Sequence, residues 1–158
     1  MNGGLDGFLA STKVQDKPLA LELGGWLGAM QPLKGTRVVT YHKDFTYFAR
    51  RFGLEVVAFV EPKPGISPSA KHLVELVEQI KREQIQLLIT RPWAESRPAE
   101  LLADKTGIKV LIQPLEAIVQ EAGQVGADGY FDLIDTTVKQ IVASVGAAHE
   151  NTPPVSDK

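Results

Sequence analysis

Thr36-Arg37-Val38-Val39-Thr40-Tyr41-His42-Lys43-Asp44-Phe45-Thr46-Tyr47-Phe48-Ala49-Arg50-Arg51-Phe52-Gly53-Leu54-Glu55-Val56-Val57-Ala58-Phe59-Val60 is the stretch whose reading decides the fold. Arg37–Tyr41 and Glu55–Val60 are β-rich, and the residues between them carry a helical pattern over Phe45–Phe52. Strand, helix, strand predicts a parallel pair joined by a crossover. His42 then follows directly behind the first strand. Ligands of open α/β sheets bind outside the carboxyl ends of parallel strands, so a histidine there faces a crevice rather than a core.

The pattern continues downstream. Glu61-Pro62-Lys63-Pro64-Gly65-Ile66-Ser67-Pro68 holds three prolines and a glycine and reads as an extended loop, with Ser67 and Pro68 as the N-cap and first-turn pair of the next helix. That helix runs to Glu83 with Leu73, Leu76, Val77 and Ile80 on one face. Ile85–Thr90 is almost continuously apolar, as a strand covered on both faces would be. Pro98–Thr106 reads as a helix stopped by Gly107, Lys109–Ile112 as a fourth strand, and Tyr130–Val145 as a final helix. The fold expected is α/β, a three-layer open sheet of about four parallel strands flanked by helices, with right-handed crossovers. Its strands end near His42, Glu61, Arg91 and Gln113, which defines the functional edge.

Upstream, residues 1–18 are Gly- and polar-rich and read as a loosely ordered lead-in. Residues 19–34 read as an apolar helix or linker helix, with Leu19, Leu23, Trp26, Leu27 and Met30 at helical spacing. Gly24, Gly25 and Gly28 weaken it by about 1 kcal/mol each. The run is far short of the roughly 20 residues needed to span a bilayer, so it is expected to pack on something. Residues 35–148 form the α/β lobe, and 149–158 read as a frayed tail.

Composition narrows the function. The 158 residues carry a net charge of −2, which offers no field to attract nucleic acid. There is no cysteine, which excludes disulfides, thiolate catalysis and cysteine-bound metal. The start, Met1-Asn2-Gly3-Gly4-Leu5-Asp6, shows no signal peptide in this chain. No GxSxG elbow or HExxH helix is present, so an enzyme is not expected.

Five blocks in order carry a family resemblance: VVTYHKDFTYFARRFGLEVV (38–57), EPKPGISPSAKHLVELVEQIK (61–81), AELLADKTGIKVL (99–111), PLEAI (114–118) and GYFDLIDTTVKQI (129–141). Together they resemble the carboxy-terminal lobe of the zinc- and manganese-binding substrate-binding proteins of bacterial ABC importers, a group that includes adhesin-like lipoproteins. The resemblance implies one lobe of a two-lobed metal-binding protein located in the periplasm or otherwise outside the cytoplasm. It further implies capture of zinc, less readily manganese, and delivery to an ABC-importer membrane permease. The metal would lie between this lobe and a missing amino-terminal lobe, or a second copy of the chain.

The resemblance places the third metal ligand at His42, where manganese-handling relatives tend to carry a carboxylate; imidazole favours zinc. It places the fourth at Glu116 of Pro114-Leu115-Glu116, while a second alignment through Val110-Leu111-Ile112 would put Gln113, a poor zinc ligand, in that role. Zinc takes four ligands in a closed site, so His42 and Glu116 are half of one. Glu61, at its own strand end, is a candidate to accept a hydrogen bond from a ligand's ring nitrogen. Structural alternatives stand beside each assignment: a helix-capping or loop role for His42, and a first-turn acid of a short helix for Glu116. Asp132 and Asp135, three apart, read as the polar face of the last helix, and His72 and His149 as surface histidines. The competing function is a stand-alone interaction module that self-associates or docks through residues 19–30.

Overall fold

Val38 and Val39 are neighbours in sequence, and both are fully buried, on opposite sides of one sheet. A strand with no solvent face needs helices above and below it, and the rest of the chain supplies them. The computed structural model describes residues 7–9, 11–19, 22, 24–114 and 129–149. Strands β1 (Lys13–Val14) and β2 (Lys17–Pro18) form a small antiparallel pair. Helix α1 (Gly25–Met30) runs into a 3-10 turn, Gln31–Leu33. Then follow β3 (Arg37–Thr40), α2 (Thr46–Phe52), β4 (Glu55–Phe59), α3 (Ala70–Glu83), β5 (Leu87–Thr90), α4 (Ser96–Thr106), β6 (Lys109–Ile112) and α5 (Gly129–His149).

The main sheet is parallel throughout, in the order β4-β3-β5-β6. On the Val38 side, Leu87 and Ile89 pack against Met30, Phe45, Phe52, Val138 and Ile141, so α1, α2 and α5 cover that face. On the Val39 side, Leu88 packs with Leu76, Ile80, Ala99 and Leu102 from α3 and α4. The chain steps from β3 outward to β4 through α2, then returns past β3 to β5 through α3 on the other face. Opposite directions on opposite faces keep every crossover to one hand, as twisted strands require. The reversal lies between β3 and β5, where the connections leaving their carboxyl ends diverge and open a crevice.

The α/β fold is the one expected, with differences in where elements start and stop. Helix α3 begins at Ala70 and is capped by Ser69, whose hydroxyl accepts the His72 N–H at 3.2 Å, rather than by Ser67. Ser67 lies in the loop, two residues ahead of that cap. Strand β5 starts at Leu87, not Ile85, because Gln84 turns left-handed (φ 51°) and the Ile85 N–H folds back to the Ile80 carbonyl at 3.0 Å. Helix α4 starts at Ser96, so Pro98 lies in the first turn, where its missing N–H breaks no helical bond. Within the expected 19–34 helix, α1 spans six residues and follows an extended Gly24.

Trp26 and Leu27 of α1 pack on the core. The Trp26 indole donates to Asp135 at 3.4 Å and stacks 6.0 Å from the Phe131 ring, so α1 is held against α5. That takes up much of the apolar stripe on which docking through residues 19–30 would depend. Helix α2 ends at Gly53 with φ 77°, and a Cβ there would meet the Lys34 side chain at 2.9 Å.

Candidate functional site

The site is built from three strand ends. Behind β3, the Tyr41 N–H continues the ladder to the Ile89 carbonyl at 2.8 Å, and the Thr40 hydroxyl donates to the His42 carbonyl at 2.8 Å. His42 therefore leaves the sheet on a fixed, extended backbone (φ −114°, ψ 172°) before the 3-10 turn Lys43–Phe45. Its Nδ1 lies 2.5 Å from Glu61 Oε2.

Glu61 follows β4 by one residue beyond Val60, and its own N–H donates to the Tyr41 carbonyl at 2.9 Å. Its second oxygen, Oε1, accepts the Gly65 N–H at 2.8 Å across a turn closed by the Lys63–Ile66 bridge. Hydrogen bonding to His42 holds the Glu61 carboxyl below its usual range against the opposing effect of burial, and the Gly65 N–H adds to the lowering. Tyr41 is buried at 3% exposure with its ring centroid 4.8 Å from that of His42. Burial pushes its hydroxyl up, with Glu95 and Glu61 adding to the shift.

From the end of β5, Arg91 pairs with Asp44 and so ties the β3 and β5 ends together across the reversal point. The Arg91 guanidinium lies 5.4 Å from the Trp93 ring centroid. These residues line a crevice of about 690 Å³ between the three strand ends. The sequence reading anticipated His42, Glu61 and Arg91 at this edge. It missed Asp44, Trp93 and Glu95, whose one available signal was their closeness to a strand end.

His42 lies in the crevice wall. Glu116 lies outside the described residues. Gln113 is 1% exposed, and its amide is taken up by α5: Oε1 accepts the Thr137 hydroxyl at 3.0 Å and Nε2 donates to Gln140. His72 is not the exposed residue expected; it is half-buried, with Nε2 3.0 Å from the Phe59 carbonyl. The reason is the edge position of β4, which brings the end of that strand under the first turn of α3. Asp135 is half-buried, where it accepts from the Trp26 indole and pairs with Lys139 at 2.5 Å. Among the described residues no three His, Asp or Glu side chains come together as a metal site. What the crevice wall does hold is one imidazole oriented by a carboxylate. No described helix is long and apolar enough to cross a membrane.

Residues 27–144 match the family model described as zinc-uptake complex component A, periplasmic. The zinc-binding lipoprotein AdcA of Streptococcus pneumoniae is 31% identical over 104 residues, which is 65% of this chain and 21% of that protein. The high-affinity zinc uptake system protein ZnuA of Bacillus subtilis is 30% identical over 97 residues, 61% of this chain and 30% of that protein. A solved structure of the substrate-binding protein FpvC from Pseudomonas aeruginosa in complex with Mn2+ aligns with TM-score 0.58 at 26% identity, covering 71% of this chain and 41% of that one. The chain thus spans between about a fifth and a third of the length of these two curated relatives.

Proposed function

The chain belongs to the family of periplasmic zinc-uptake complex components, and on that premise we propose that it forms the carboxy-terminal half of a receptor that captures zinc outside the cytoplasm. The receptor hands its cargo to an ABC-importer membrane permease. The family is one of transport components rather than enzymes. One observation carries the reading: an imidazole stands in the wall of a crevice at the carboxyl ends of parallel strands, with one ring nitrogen engaged by a carboxylate. That leaves the other nitrogen for a metal.

His42 is one ligand and Glu116 the second. The remaining two come from an amino-terminal lobe or from a second copy of the chain, because zinc held for transport needs a closed four-ligand shell. Imidazole makes zinc the first choice and manganese the second. The engagement of the Gln113 amide by α5 supports Glu116 over the Gln113 position.

Calorimetric titration with zinc tests this directly. The chain is expected to bind zinc, to lose at least tenfold in affinity on His42→Ala, and to weaken on Glu116→Ala; outer partners of a ligand alone are worth roughly 10- to 100-fold. Equal affinity in the wild type and His42→Ala would sink the proposal.

A further inference from the structure

We propose that Glu61 is a positioning residue that locks His42 in the tautomer carrying its proton on Nδ1, so that Nε2 is the nitrogen presented to a metal cation. Coordination by Nε2 rests on the zinc-capture reading above, whereas the tautomer stands on hydrogen bonding alone. An ionised carboxylate only accepts, so a neutral imidazole with Nδ1 2.5 Å from Glu61 Oε2 must place its N–H there. The Glu61 carboxylate is held in this orientation by its other oxygen, which accepts the Gly65 N–H at 2.8 Å, on a main chain anchored by its N–H to the Tyr41 carbonyl. Gly65 is itself fixed, with φ 76° in the turn closed by Lys63 and Ile66.

Both oxygens of the Glu61 carboxylate therefore face donors, and a carboxylate is the group that satisfies both. Glutamine has one acceptor oxygen and one donor NH2. If that oxygen stays on the Gly65 N–H, the NH2 faces Nδ1 and requires its lone pair, which moves the ring proton to Nε2 and blocks the coordinating nitrogen. If the amide flips, NH2 meets the Gly65 N–H donor to donor. The first arrangement wins, because an imidazole changes tautomer without moving a heavy atom and the backbone turn cannot turn its N–H aside.

The test is a two-bond 1H–15N correlation spectrum of the metal-free, 15N-labelled chain at about pH 9, above the ordinary histidine range. His42→Ala assigns the His42 signals among the three histidines. In the wild type His42 is expected as the Nδ1–H tautomer, and in Glu61→Gln mainly as Nε2–H, with zinc affinity lowered about 10- to 100-fold. A wild-type ring protonated on Nε2, or an unchanged tautomer in Glu61→Gln, overturns the assignment. The expected tautomers without zinc binding to the wild type would uphold the lock and remove the capture reading.

Discussion

Tyr41 stands between the sheet and the crevice, and its hydroxyl is a group whose ionisation the fold opposes. Burial is the main cause, and the carboxylates of Glu95 and Glu61 add to it. Its folded pKa lies above the unfolded value near 10, so the stability it contributes is fully present below that value. That contribution is lost as pH rises through the higher, folded value. Alkaline titration of tyrosinate absorbance should therefore show one phase displaced upward, absent in Tyr41→Phe and coincident with a loss of stability; a Tyr41 phase at the free-tyrosine value would contradict this. At the same scale, His42 and Glu61 were legible because each follows a β-rich run. The Asp44–Arg91 pair was not: its partners lie 47 positions apart and meet only because β5 lies beside β3. Gln113 was legible as a poor ligand, yet nothing near it in sequence announces Thr137 and Gln140.

Among the elements, the four strands of the main sheet were read within a residue or two, and the short β1–β2 pair inside the expected lead-in was not read, while helix starts depended on local geometry that composition leaves open. Ser67 and Ser69 flank Pro68 and both satisfy a cap by residue type; only the backbone shows that the Ser69 hydroxyl reaches the His72 N–H. Ser69→Ala should lower stability by about 1 kcal/mol, while Ser67→Ala should change it little, as read from urea unfolding midpoints. The reverse ranking would return the cap to Ser67. Helix stops were more legible, because Gly53 and Gly107 take φ 77° and 74°, where side-chain-bearing residues are strained. Gln84 does the same at φ 51° without being glycine, and for that reason the late start of β5 behind it was not visible, although the end of α3 at Glu83 was.

For the whole molecule, alternating strands and helices announced parallel α/β layering, but not the order β4-β3-β5-β6. That order matters more for function than any single element, because it puts the reversal between β3 and β5 and so gathers His42, Glu61, Asp44 and Arg91 around one crevice. On the function proposed above, this crevice supplies half of the cage for a metal, in keeping with a chain that matches a fraction of the length of its relatives. The claim that this crevice presents His42 to zinc is tested most directly by anomalous diffraction at the zinc edge from crystals of the chain grown with zinc. The account predicts a peak about 2.0–2.1 Å from His42 Nε2. A peak at His72 or on the surface, with none at His42, would contradict it.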